Sequence, residues 1–231
     1  MLFRSAYTSV DGERTMMEPG DFVITPSWTF HDHGNIGEGP MVWLDGLDVP
    51  VVQLFEASFR EGMGEEPQET DRPEGDSFSR YGSNLVPVDD DYNRPTSPVF
   101  NYPYRRTREA LDSMKRRDKW SVWHGLKMRY VNPKTGDYAI PTMATFIQLL
   151  PKGFKTASYR STSSTVFVCT EGRGRSVIGG QPFDWGLHDI FVVPSWVPVV
   201  HEAQDESVLF SFSDQGVQEK LGFFREKKAK A

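Results

Sequence analysis

The sequence predicts an all-β protein of the sandwich or barrel type, built from two copies of one β unit. Asp21–Trp28 reads DFVITPSW and Asp189–Trp196 reads DIFVVPSW, an offset of 168 residues. The same offset pairs Val10 with Ile178, Gly12 with Gly180 and His33 with His201. Self-similarity at one fixed spacing is the signature of a repeated structural unit. Short apolar runs separated by Gly and Pro turn signals are the second observation. The third is that strands this short, without helical patterns regularly placed between them, argue against a βαβ fold.

In chain order, residues 1–59 form the first unit. Its β-type segments are Ala6–Val10, Asp21–Thr25, Met41–Leu44 and Val51–Leu54, parted by turns at Asp11-Gly12, Pro19-Gly20 and Gly34-Asn35. The stretch GDFVITPSWTFHDHGN ends in an H-x-H step, and the two-residue period of a strand places His31 and His33 on one face. The plain reading of that pair is two polar side chains at a strand end, bonded to backbone; the sharper one is a metal or substrate site. Residues 60–118 read as a linker, acidic at first and then rich in Pro and aromatics, with Tyr92, Phe100, Tyr102 and Tyr104 suited to packing along a surface. Within it, Thr107–Arg117 is the one helix candidate: Thr107 as cap, an apolar stripe of Ala110, Leu111 and Met114, and cations at the C-terminal end.

Residues 119–226 form the second unit. Its clearest strands are Thr145–Leu150, Thr165–Thr170, Arg175–Ile178, Asp189–Val193 and Val208–Phe212, with a turn at Pro133–Gly136. Residues 227–231 are a charged tail expected to fray. Trp28 and Trp196 recur in both copies and read as packing for the turn. His124 has no sequence partner and reads as structural.

Composition narrows the function. A net charge of −6 argues against a nucleic-acid partner. No apolar run approaches the ~20 residues of a membrane helix. The start MLFRSAYTSV lacks a signal-peptide core. A single cysteine, Cys169, leaves no internal disulfide, fits a reducing cytoplasm, and sits in an apolar run as a small buried residue.

Carried backwards, the offset places position 1 opposite Cys169. The first copy therefore has no counterpart of the stretch from about Thr142 to Val168, including TFIQLL and STVFV. The first barrel is expected to be incomplete, with exposed sheet edges and apolar faces, either because the chain is N-terminally truncated, the favoured reading, or because another chain fills the gap.

Gly20, Pro26, His31 and Asn35 match the second cupin motif, G-x5-P-x-G-x2-H-x3-N, with Trp28 at the middle Gly. Together with AYTSVDGERTMMEPGDFVITPSWTFHDHGN, WLDGLDVP and VLFSFSDQGVQEKLGFFRE, these residues resemble the bicupin ring-cleaving dioxygenases: gentisate 1,2-dioxygenase and its salicylate and 1-hydroxy-2-naphthoate relatives. The resemblance implies two double-stranded β-helix (jelly-roll) barrels, the first incomplete, with one short connecting helix. A full-length member would begin roughly a hundred residues earlier.

The resemblance further implies one non-haem Fe(II) on three histidines, chelation of gentisate by its carboxylate and 2-hydroxyl, and O2 cleavage of the ring to maleylpyruvate. His31 falls on the third iron ligand; the other two belong to an H-x-H that this chain lacks. His33 reads as a substrate-contacting or catalytic group, and Asp45 of WLDG as a catalytic aspartate that orients a histidine or moves a proton, or else as a plain turn carboxylate. In the second unit Tyr159, Ser161 and Val199 stand where ligands would be, so that copy reads as a cupin without metal, and His201 with His188 as a poor metal site. A small aromatic acid, O2 and further copies of the chain (a tetramer in the family) are the implied partners. The rival readings are a metal-free binding or scaffold protein, or the same fold cleaving salicylate or 1-hydroxy-2-naphthoate. With one ligand position present, the chain alone is expected to be inactive.

Overall fold

A computed structural model describes residues 6–64, 67–116 and 119–230. The chain divides into two compact units, Met1–Thr107 with Val131–Ile140, and Arg108–Tyr130 with Pro141–Ala231.

In the second unit, two five-stranded antiparallel sheets close around one core. The first runs Gln181–Trp185, Gly174–Ile178, Val199–Ala203, Tyr159–Ser161, Glu226–Lys228 in spatial order. The second runs Ile190–Val193, Thr165–Glu171, Ser207–Ser213, Ala144–Leu150, Leu126–Arg129. Burial alternates along Val199–Ala203 and Gly174–Ile178, as strands with one face on a core require. Leu150, Phe167, Ile178, Trp185, Val193 and Leu209 make up much of that core, with Cys169 fully buried among them. Burial pushes the Cys169 thiol up to about 11, and its Sγ donates to the carbonyls of Glu171 and Gly172, so it behaves as the small inert residue its apolar run predicts.

In the first unit the order is Glu13–Met16, Ala6–Val10, His31–Asn35, beside a two-stranded pairing of Phe22–Val23 with Asn101–Tyr102. Val10, Ile24 and Phe100 form its small core, with Phe22, Val23, Tyr102 and Ile140 packed on it.

The repeat is real at the level of single ladder rungs. Val10 pairs with Glu13 and with His31; Ile178 pairs with Gln181 and with Val199, each 168 residues on. The turns match too. Gly20 and His188 both hold positive φ, +87° and +69°, which makes His188 a turn residue. Trp28 and Trp196 sit at +64° and +61°, the left-handed region that the motif's middle Gly would occupy freely. The two tryptophans do not bury their rings in the turn as expected: Trp28 is 77% exposed and Trp196 41%. What recurs is the backbone shape.

Several sequence expectations need correction. Met41–Leu44 forms no strand, and Val51–Leu54 lies in a helix, Val49–Leu54, where Pro50 in the first turn presets φ. A short apolar run does not by itself separate strand from helix. Asp21–Thr25 shortens to Phe22–Val23. The connecting helix is Tyr104–Lys115, begun by the carbonyl of Pro103, so Thr107 lies inside it and is not its cap; Arg117 falls outside the described residues. Short helices also cover Asp76–Tyr81 and Gln215–Lys220.

The stretch after residue 60 is fastened to the first unit. The buried Glu13 carboxylate accepts from the backbone N–H of Gly75 and Ser77, at 3.0 and 2.9 Å, and from the Ser77 hydroxyl. Gln68 accepts from the N–H of Gly12. The charged tail is not frayed either: Glu226–Lys228 pairs with Tyr159–Ser161, and Trp123 donates its indole N–H to Ala229.

Candidate functional site

The strand His31–Asn35 carries the motif, and each of its residues has a traceable local role. Asn35 shapes the exit loop, accepting from the N–H of Gly37 and donating to the carbonyl of Gly39. Gly34 lies opposite Tyr7 in the ladder, and a Cβ there would run into the Tyr7 ring. Asp32 turns to the other face, where its Oδ2 accepts from the N–H of Gln68 at 3.1 Å.

That leaves His31 and His33 together on the exposed face, ring centroids 5.6 Å apart, as period-two geometry predicts. His31 Nδ1 lies 3.4 Å from the Thr29 carbonyl, which can only accept; its proton therefore belongs on Nδ1, and Nε2 carries the lone pair. His33 Nδ1 lies 2.9 Å from Thr8 Oγ1, which also lies 3.3 Å from Met17 Sδ. Thr8 thus holds Nδ1 and leaves Nε2 as the ring nitrogen turned to the site. Burial and the neighbouring His31 hold the His33 pKa below the ordinary histidine value, while Asp45 and Asp32 act against them. Trp43 lies over His33, centroids 5.7 Å apart.

Structure thus brings His31, His33 and Asp45 into one neighbourhood and adds Trp43, which sequence reasoning passed over. Thr8 and Met17 were also passed over. Their signal was available, because the 168-residue offset pairs Thr8 with Ser176 and His33 with His201.

In the second unit the same hydroxyl–imidazole pair recurs: Ser176 Oγ lies 2.7 Å from His201 Nδ1. Its other partner differs. Trp185 Nε1–H donates to Ser176 Oγ at 2.9 Å, which leaves the Ser176 proton for His201 Nδ1 and places the His201 proton on Nε2. His201 is 4% exposed, and burial pushes its pKa down to about 3. It belongs to the core and not to a metal centre with His188.

Among the described residues no three His, Cys, Asp or Glu side chains come together to hold a metal ion. His31 offers one imidazole and His33 has spent Nδ1 on Thr8, so the described donor set does not complete an Fe(II) site.

A cupin-domain family model matches residues 4–48. The chain is 58% identical over 221 residues to gentisate 1,2 dioxygenase 1 of Aquipseudomonas alcaligenes, covering 96% of this chain and 64% of that protein. Across its curated relatives it spans 57 to 64% of their length. Among solved structures it is similar to salicylate 1,2-dioxygenase of Pseudoaminobacter salicylatoxidans in its gentisate adducts, with TM-score 0.90, 32% identity, and coverage of 99% of this chain and 64% of that one. A variant of the same enzyme gives TM-score 0.86 and 33% identity over 98% of this chain and 67% of that one. With the repeat, the motif strand and these likenesses in agreement, the chain belongs to the gentisate 1,2-dioxygenase family of bicupin ring-cleaving dioxygenases.

Proposed function

We propose that this chain is part of an enzyme that opens a gentisate-like hydroxybenzoate with O2, breaking the bond between the carboxyl-bearing and hydroxyl-bearing carbons and leaving one oxygen atom on each to give maleylpyruvate. The observation that carries the reading is the 58% identity to a gentisate dioxygenase over nearly the whole chain. The chemistry calls for Fe(II) to activate O2, and His31 Nε2 would be one donor among ligands that the described residues do not complete. By itself the chain is then inactive.

In this reading the chain's own residues prepare the substrate. His33 Nε2, turned to the site by the Thr8 hydrogen bond on Nδ1, accepts the proton of a substrate hydroxyl or anchors it. Asp45 stabilises the imidazolium that results, and Trp43 walls the imidazole on one side.

The test is anaerobic loading with Fe(II), followed by iron content and gentisate-dependent oxygen uptake. It is run on this chain and on a hybrid that supplies the part of the Aquipseudomonas relative it does not match. We expect neither iron nor uptake for the chain alone, and both for the hybrid, with uptake abolished by His31→Ala. Stoichiometric iron in the isolated chain would overturn the incomplete-site reading. A hybrid that holds iron yet leaves gentisate untouched would overturn the substrate.

A further inference from the structure

The second barrel has lost its ligands but not its cavity. About 30 Å³ remains inside it, room for roughly two waters. Tyr159, Ser161 and Val199, the three positions where ligands would stand, all line this space. So do Lys127, His124, His201 and Gln148.

Lys127 is the informative residue. It lies on the strand Leu126–Arg129, directly opposite Gln148 in the ladder. Its ammonium rests over the Phe146 ring, 4.2 Å from the centroid, and makes no hydrogen bond or ion pair within the chain among the described residues. Burial pushes it down to about 8, so at neutral pH it is still largely charged. A desolvated ammonium is normally matched by a carboxylate, because leaving it unmatched is expensive. The one carboxylate that acts on Lys127, Glu226, opposes the effect of burial from outside the cavity, and the lining itself supplies no acid. His201 has spent Nδ1 on Ser176, so Nε2–H is the donor left for the cavity. His124 stays neutral, its pKa pushed down to about 3, mainly by burial and then by Lys127.

We infer that this cavity is a binding site for a small monoanion, a formate-sized carboxylate or a halide, held by the Lys127 ammonium and the His201 Nε2–H. A positive side chain shares the cavity with the three positions where a metal cupin would carry ligands, and the cavity's size limits the guest to a few heavy atoms. Aromatic carboxylates are too large to enter. The inference concerns the second unit alone and does not rest on the ring-cleavage reading.

Sodium formate is the probe, titrated into the full chain at constant ionic strength and followed by the ring-nitrogen resonances of the histidines. Saturable shifts at His201, with His31 and His33 unmoved, are the expected result. Affinity should fall at least about tenfold in Lys127→Met, a variant that puts an apolar chain in place of a desolvated charge and so should fold. Chloride that displaces formate would name a halide as an equal guest; chloride that does not would restrict the site to carboxylates. Unmoved His201 resonances, or unchanged formate affinity in Lys127→Met, would overturn the site. Displacement of formate by benzoate would overturn its size limit.

Discussion

The strand with His31 and His33 and the strand with Val199 and His201 share ladder register, flanking turns and a hydroxyl on Nδ1 of the later histidine. They differ in what lies behind them. In the second unit a closed pair of sheets buries His201 against Phe167 and Phe191. In the first unit a three-stranded sheet leaves its histidines at the surface, with Trp28, Ile36 and Val42 exposed as well. The backbone plan is therefore independent of the chemistry it carries. Closure decides whether an imidazole is buried in a core or open to the surface.

Acid should separate the two units most strongly. His201 and His124 are held neutral, with folded pKa values of about 3 against an ordinary 6.5. Each contributes stability that is fully present above pH 6.5 and is lost as pH falls towards 3, together on the order of several kcal/mol. Denaturant unfolding followed through second-unit tryptophans across that range checks this; a flat profile would contradict the buried-histidine contrast.

The next effect belongs to the first unit. Glu13→Ala strands the donors of Gly75 and Ser77 and should cost about 2 kcal/mol, with faster hydrogen exchange across Asp76–Tyr81 and none in the second unit. Smaller again is Gly34→Ala, which forces Tyr7 aside for about 1–2 kcal/mol. The matching Glu202→Ala removes only an exposed pair with Lys155 and should stay within about 0.5 kcal/mol. Equal effects at the two positions would mean that the copies are more alike than their ladders suggest. The smallest change is one of tautomer: Thr8→Val should remove the hydroxyl that holds His33 Nδ1 and shift the His33 ring-nitrogen resonances, while the ring-nitrogen spectrum of His201 stays as it is.

The sequence made some of this plain. Residues 6–35 and 174–203 could be laid on each other from DFVITPSW and DIFVVPSW alone, and the shared face of His31 and His33 followed from period two. Long-range capture could not be read. Glu13 grips Ser77 across 64 positions, and no local pattern announces it. The helix at Val49–Leu54 hid inside an apolar run short enough to be a strand. The tail looked frayed because charge was weighed without the backbone partners waiting at Tyr159–Ser161. The shared exposed face of His33 with His31 was legible, whereas the contacts of Thr8 with His33 and Met17 needed side-chain geometry.

Cys169 has one more consequence. As the chain's single thiol, wholly shielded and held by ladder partners on both sides, it can meet a reagent only when the second barrel opens. Its rate of labelling is therefore a built-in clock for that opening, readable without adding a probe or altering a residue.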